Sequence, residues 1–363
     1  MTQLDDLLEA RGMFGMRLGL ERMRGLLDRL GNPERAFRTI HVVGTNGKTS
    51  TTLLAAELLR STGLRAGAYV SPHVRRFAER IQVDGADADL DAALERVRPF
   101  GEGATQFEVL TAAAFAEFAA REVDVAVVEA GLGGRLDATN VIDARVVVVT
   151  NIAREHTEVL GSTREAIAAE KLAVVTPGAT VILGDPEWEG LARERGAGLV
   201  ELPGSSNLAL AVAAAEAHLG APVDPHAADG LSVPGRLERR GEHPLEIWDG
   251  AHNLAGVGYL LPRLPDRRYT IVASILADKD ADAMLRALSA VGDTLIATQS
   301  TNPRALPAAE LAGLAAAHFA SAEAVFSPAD ALMIARGLAG ADGAVLVTGS
   351  LYLLADLYDA SGT

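Results

Sequence analysis

The sequence predicts an α/β fold in two domains, each built on a mostly parallel sheet covered by helices. Three observations carry this. Short β-branched runs alternate with Ala- and Leu-rich windows of helical length from Arg38 onward. The runs are apolar throughout, which is the pattern of strands buried on both faces. A Pro- and Gly-bearing stretch, APVDPHAADGLSVPG, then interrupts the rhythm and marks a linker. The length agrees: 363 residues exceed one core of about 100 to 200 residues.

In the first domain, residues 1–234, the strand candidates are TIHVV, RAGAYV (Arg65 to Val70), DVAVVEA, RVVVVTN and ATVIL. Between them TTLLAAELLRST (Thr51 to Thr62), TAAAFAEFAA and REAIAAEKLAVV read as helices, and a last helix from Asn207 to Leu219 leads into the linker. Strands joined through helices run parallel, because a parallel pair needs a crossover. In the second domain, residues 235–363, LEIWD, YTIVASI, TLIATQ and GAVLVTG alternate with helical windows and predict a smaller α/β domain. No repeat of fixed short period is visible.

Composition narrows the function. With 49% hydrophobic and 22% charged residues the chain is globular, not disordered. A net charge of -15 repels phosphate backbones and anionic lipid, which argues against nucleic-acid and membrane-surface roles. A local positive pocket can still hold a nucleotide. Without cysteine there is no disulfide, thiolate zinc site or Cys nucleophile, so any metal uses oxygen or histidine. The opening MTQLDDLLEARGMF is acidic, and no uncharged apolar run reaches the roughly 18 residues of a membrane span. A cytoplasmic monomer is expected.

The sharpest motif is RTIHVVGTNGKTSTT, Arg38 to Thr52. A strand broken only by His41 runs into a glycine-bearing turn and then a helix. That arrangement aims backbone N–H groups and a helix N-terminus at an anion. Thr45, Asn46 and Gly47 form the turn, Lys48 can reach β and γ phosphates, and Thr49 or Ser50 can place a hydroxyl on magnesium. The loop is a shortened P-loop: Val42 stands where the general pattern has its first glycine, and Gly44 sits closer in.

The words around this loop carry a resemblance. GLERMRGLLDRLGNP, YVSPHVRRFAERI, VVEAGLGGRLDATNV, TNIAREHTEVLG and AAEKLAVV, then PGRLE, DGAHN, ADKDADAMLRAL, NPRALP and VTGSLYLL, resemble the folylpolyglutamate synthase and dihydrofolate synthase family of the Mur ligase superfamily, in order along nearly the whole chain. The resemblance implies a Mur-ligase-type P-loop domain followed by a Rossmann-like domain. It implies ATP, L-glutamate and dihydropteroate or a folate as small-molecule substrates. A carboxylate is a poor acyl donor at neutral pH. The implied chemistry is γ-phosphoryl transfer to that carboxylate, then attack by the glutamate amine, with charge stabilised by magnesium and Lys48.

For magnesium the matching positions are Ser50, Ser71, Glu129 and His156, and Lys171 matches a lysine carbamylated in the family, which requires a depressed pKa. On the acceptor side the resemblance points to Leu20, Glu21 and Arg22, to Thr105, Gln106, Phe107 and Glu108, and to Leu136, Asp137 and Ala138. Phe107 offers a flat face to a pterin. SPHVRRFAERIQVDG resembles the family's mobile loop over the substrate. Asn207, Arg236 and Asp249 match nucleotide contacts, with His252 as a catalytic candidate and Asn253 beside it. ATP gripped from both sides of the linker implies that closure gates catalysis. The chain departs from the family at Leu254, at Ala78, in GKTS, and in the short segment before Asn207, where a peripheral hairpin or small sheet is expected to be missing. A Mur-type ligase for another carboxylate and a nucleotide-driven ATPase switch are alternatives. A switch leaves GLER and TQFE without a task.

Overall fold

Strand β1 (Arg38–Val43) is followed in the first half of the chain by β2 (Ala66–Tyr69), β3 (Ile81–Val83), β4 (Ala86–Asp87), β5 (Val125–Glu129), β6 (Val146–Val149), β7 (Thr180–Leu183) and β8 (Leu199–Glu201) in the computed structural model, which describes residues 19–361. They form one sheet in the order β4-β3-β2-β5-β1-β6-β7-β8. The pairs from β2 through β8 are parallel, and only the β2–β3 and β3–β4 pairs are antiparallel. The apolar runs decide this: β6 is four valines, all buried, and such a strand is stable only with helices on both faces. Chain order places β5 and β6 on either side of β1. The connections from β1 and β6 leave in opposite directions, which opens a crevice at their carboxyl ends.

The helices are α1 (Glu21–Arg29), α2 (Lys48–Ser61), α3 (Leu90–Val97), α4 (Gln106–Ala120), α5 (Thr157–Leu160), α6 (Arg164–Lys171), α7 (Glu189–Glu194) and α8 (Asn207–Leu219). Helix α4 is apolar on nearly every side and buried, and its start is fixed by a capping box between Thr105 and Glu108. Its Phe115 and Phe118 pack with Met23 and Leu26 of α1 and with β5 in the core.

The chain divides into two units, the first ending at Leu231 and the second beginning at Ser232. The stretch read as a linker contributes a 3-10 turn, Pro225–Ala228, to the first unit, because the Asp224 carboxylate accepts the His226 N–H and caps it. The second unit holds β9 (Glu238–Glu242), β10 (Leu245–Trp248), β11 (Tyr269–Ala273), β12 (Thr294–Ala297), β13 (Ser321–Ala324) and β14 (Ala344–Thr348), ordered β13-β12-β11-β14-β10-β9 with only β9 antiparallel. Ile271, Leu285, Leu295 and Leu346 are among its core. Strands β3, β4, β8, β9 and β13 are additional to the sequence reading. Among the described residues no helix is long and apolar enough to cross a membrane.

Candidate active site

The loop after β1 is knitted to the loop after β6. Thr45 N–H donates to the Asn151 carbonyl at 2.9 Å and Asn46 N–H to Asn151 Oδ1 at 3.1 Å. Thr150 Oγ1 and Asn151 Nδ2 both donate to the Asn46 carbonyl, at 2.7 and 2.9 Å. The approach is so close that a Cβ on Gly44 would fall 1.9 Å from Thr150 Oγ1. Gly47, at φ +83, makes the left-handed turn into α2 that a side chain resists. The loop therefore closes on the crevice with the N-terminus of α2 aimed into it, an anion-binding geometry. Lys48 bends back, its Nζ 3.2 Å from the Thr45 carbonyl.

Glu129, the last residue of β5, is 1% exposed. Its carboxylate accepts from Thr49 Oγ1 at 3.0 and 3.2 Å and from the Ser71 N–H at 3.0 Å. The structure thus brings Lys48, Thr49, Ser71 and Glu129 together from three elements. Thr49 makes the contact to Glu129, and Ser50 follows it half-buried. Among the described residues no three His, Asp or Glu side chains gather as a metal cage. One buried carboxylate with neighbouring hydroxyls suits magnesium, which takes few protein ligands and keeps phosphate and water oxygens. His156 is not buried with them: at φ +50 it caps α5, its exposed ring 3.7 Å from Glu155 Oε1.

Lys171, the last residue of α6, is 5% exposed and its Nζ donates to the Gly44 carbonyl at 2.6 Å. Burial, and then repulsion by Lys48, push its pKa down to about 7, against the pull of Glu155 and Asp137. Gly134 lets the loop after β5 lie on this helix end, since a Cβ there would be 2.7 Å from the Glu170 carbonyl.

On the acceptor side two separate sequence words meet. Arg22 of α1 reaches Glu108 of α4, with Nε 3.3 Å from Oε2 and Nη2 3.1 Å from Oε1. The same carboxylate accepts the Thr105 N–H at 2.7 Å. Phe107 is half-buried over Gly131, whose missing Cβ would lie 2.6 Å from the ring, and it packs at 6.1 Å from Tyr69. Leu20 and Gln106 are buried, Glu21 is exposed, and Leu136 is half-buried beside buried Ala138. Asp137 faces inward, accepting from Leu132 N–H at 2.8 Å and Thr139 N–H at 3.0 Å. Burial raises its pKa, and these hydrogen bonds oppose the rise. Within residues 71–85, which resemble the family's mobile loop, buried Glu79 accepts from the Val74 and Arg75 N–H groups and from Arg75 Nε.

Asn207 is half-buried in the first turn of α8, capped by Ser206. In the second unit Asp249 accepts the Leu237 and Ala251 N–H groups at 2.8 and 2.9 Å. Burial raises its pKa, with Arg236 the main opposing charge. Gly250 leaves room for Arg236, whose Nη1 would be 2.6 Å from a Cβ there. His252 Nδ1 lies 2.8 Å from the Gly250 carbonyl, and Asn253 Oδ1 accepts the Gly256 N–H and caps α9 (Leu254–Leu260). Sequence reasoning missed Thr150, Asn151 and Glu155. An Asn directly after a buried strand was the available signal.

The fold and this phosphate loop define a two-part Mur ligase: residues 42–217 match the Mur ligase middle domain and residues 235–351 the Mur ligase, glutamate ligase domain. The chain is 31% identical to the dihydrofolate synthase/folylpolyglutamate synthase of Bacillus subtilis, over 96% of each, and 33% identical to that of Escherichia coli, over 94% and 91%. It therefore belongs to the folylpolyglutamate synthase/dihydrofolate synthase family. Its structure superposes on Mycobacterium tuberculosis folylpolyglutamate synthase complexed with ADP at a TM-score of 0.88 and 31% identity, over 99% and 98% of the chains. Escherichia coli FolC in complex with DHPP and ADP gives 0.87 and 31%, over 99% and 97%. A bifunctional folylpolyglutamate synthase/dihydrofolate synthase with Mn, AMPPNP and L-glutamate bound gives 0.86 and 30%, over 100% and 99%.

Proposed function

We infer that this chain is an ATP-dependent ligase that adds L-glutamate to dihydropteroate, to glutamylated folates, or to both. The observation that carries the reading is the convergence of the Gly44–Gly47 loop, Lys48, Thr49, buried Glu129 and Lys171 at the β1–β6 crevice. The relatives' complexes with ADP, DHPP and L-glutamate support it.

The loop amides and the start of α2 hold the triphosphate, and Lys48 turns from the Thr45 carbonyl to a phosphate oxygen. An acceptor carboxylate oxygen forms a bond to the γ-phosphorus and ADP leaves. The glutamate amine then bonds the acyl carbon, phosphate leaves, and an amide remains. Glu129, with the hydroxyls of Thr49 or Ser50 and Ser71, and with His156 as the resemblance implies, would hold a divalent cation, which would neutralise charge on the transferred group.

Lys171, with a pKa of about 7, keeps neutral amine available near neutral pH. Addition of carbon dioxide to that amine forms an N–C bond, releases a proton, and leaves a carboxylate-like group. Arg22, Phe107 and the 136–138 segment receive the acceptor. A carbonyl oxygen only accepts, so His252 donates from Nδ1 to the Gly250 carbonyl, and the resemblance makes this residue the candidate for taking the proton that the amine releases. Asn207, Arg236 and Asp249 serve the nucleotide. The enzyme works in the cytoplasm, where ATP is abundant.

Phosphate release by the purified protein tests this, with magnesium-ATP alone and then with dihydropteroate plus glutamate. Release that needs both supports ligation, and rapid release from ATP alone identifies a switch. Replacing dihydropteroate by tetrahydrofolate in the same assay separates the two ligase activities.

A further inference from the structure

His41 interrupts the apolar run of β1 and is 1% exposed. Its Nε2 lies 2.9 Å from Thr139 Oγ1, and the Thr139 hydroxyl donates to Asp137 Oδ1 at 2.5 Å. A hydroxyl has one proton to give and Asp137 takes it, so the ring must supply an N–H to Thr139. The relay runs from His41 through Thr139 to Asp137. Burial pushes the His41 pKa down to about 3, so the ring stays neutral and the direction of the relay stays fixed.

At the far end, Asp137 also gathers the Leu132 and Thr139 N–H groups, which closes the 131–139 loop on itself. That loop starts at Gly131, the floor under the Phe107 ring. The strand that carries the phosphate loop, already paired with β5 and bonded through the Val42 carbonyl to the Ala130 N–H, thus also reaches the far end of the acceptor loop through a buried imidazole. A buried polar side chain in the middle of a parallel strand is costly unless it is hydrogen-bonded, and a valine would serve packing better.

We propose that His41 is a positioning residue for the acceptor-binding loop, acting through Thr139 to orient Asp137 and the Gly131 floor beneath Phe107. The proposal rests on the ligase reading above. It makes no contact between His41 and either substrate.

The test is steady-state ligation by the full chain, varying dihydropteroate and ATP separately, for the unchanged protein, Thr139→Val, Thr139→Ser and His41→Gln. Valine keeps the shape of threonine without the hydroxyl; serine keeps the hydroxyl. Thr139→Val is expected to raise KM for dihydropteroate at least about fivefold while KM for ATP moves less than about twofold, with Thr139→Ser restoring most of the loss. His41→Gln, which retains an N–H donor, falls between them. Equal changes in both KM values, or no change in either, overturn the proposal, because a purely structural defect does not select one substrate. If neither Thr139→Val nor His41→Gln folds, the relay is a folding element and the proposal also falls. If the unchanged protein forms no product, the ligase reading itself has failed, and this proposal with it.

Discussion

Lys171 Nζ donates to the Gly44 carbonyl at 2.6 Å, so the C-terminal end of α6 is fastened to the first residue of the phosphate loop by a buried amine. The fastening has a pH dependence with a definite sign. The folded-state pKa of about 7 lies below the ordinary 10.5. Between those values the unfolded chain holds a proton that the folded chain lacks, so stability rises with pH across this window and the penalty is complete below its lower end. Lys171→Met removes the titration. In urea unfolding without carbon dioxide, the variant's stability relative to the unchanged protein should grow as pH falls from about 10 to 7, by about 1.4 kcal/mol per unit of pKa displacement. A gap that stays constant with pH would refute the depressed amine.

Removing charge from the crevice should act on turnover more than on folding. Lys48 keeps its ammonium within the phosphate loop, on the Thr45 carbonyl, and Glu129 is already oriented by Thr49 and Ser71. Lys48→Ala and Glu129→Ala are each expected to lower ligation by at least about a hundredfold, about 2.7 kcal/mol of transition-state stabilisation. Near-normal turnover in either variant, measured as phosphate release with all substrates present, rules out the role given to that residue.

Why the phosphate loop was readable and its surroundings less so follows from what each depends on. Gly47 and Lys48 act through backbone conformation and charge, which residue types state directly, and the valines of β6 announce a doubly covered strand by composition. Thr150 and Asn151 acquire meaning only because chain order sets β6 beside β1, which no local pattern states. Asp137 shows the same limit: the resemblance put it on the acceptor side, and only the folded loop shows that its oxygens accept the Leu132 and Thr139 N–H groups. Strand β13, SAEA, is an edge strand with exposed and half-buried residues, so no apolar run marked it.

Arg22 and Glu108 join α1 to α4, and two substitutions separate the joint from the cap. Glutamine can replace glutamate in a capping box but carries no charge. Glu108→Gln should therefore leave thermal unfolding nearly unchanged while raising KM for dihydropteroate, because the charge pairing between Arg22 and Glu108 is lost. Glu108→Ala also removes the carboxylate half of the capping box, the acceptor for the Thr105 N–H, while Thr105 still caps the helix, and should cost about 1 kcal/mol of stability. Equal effects of the two variants on KM and on unfolding would show that the pair does not orient Arg22 for the acceptor.

Gly44 and Thr150 meet where the β1 and β6 loops are stitched, and the contact sets a steric limit on nucleotide binding. A Cβ on Gly44 would fall 1.9 Å from Thr150 Oγ1, at a backbone φ of +145 that side chains rarely adopt. Thr150 cannot withdraw cheaply, because its hydroxyl holds the Asn46 carbonyl at 2.7 Å and its N–H bonds the Val43 carbonyl at 3.0 Å. Gly44→Ala must therefore displace the loop rather than its neighbour, and ADP affinity by calorimetry should fall at least about thirtyfold, roughly 2 kcal/mol. Thr150→Ala alone leaves the backbone free to close and loses one hydrogen bond, so its effect should stay nearer about 1 kcal/mol. In the double variant the space left by Thr150 relieves the clash but not the φ, and partial recovery over Gly44→Ala is expected. Full recovery would make the contact alone responsible, and none would assign the loss to the backbone.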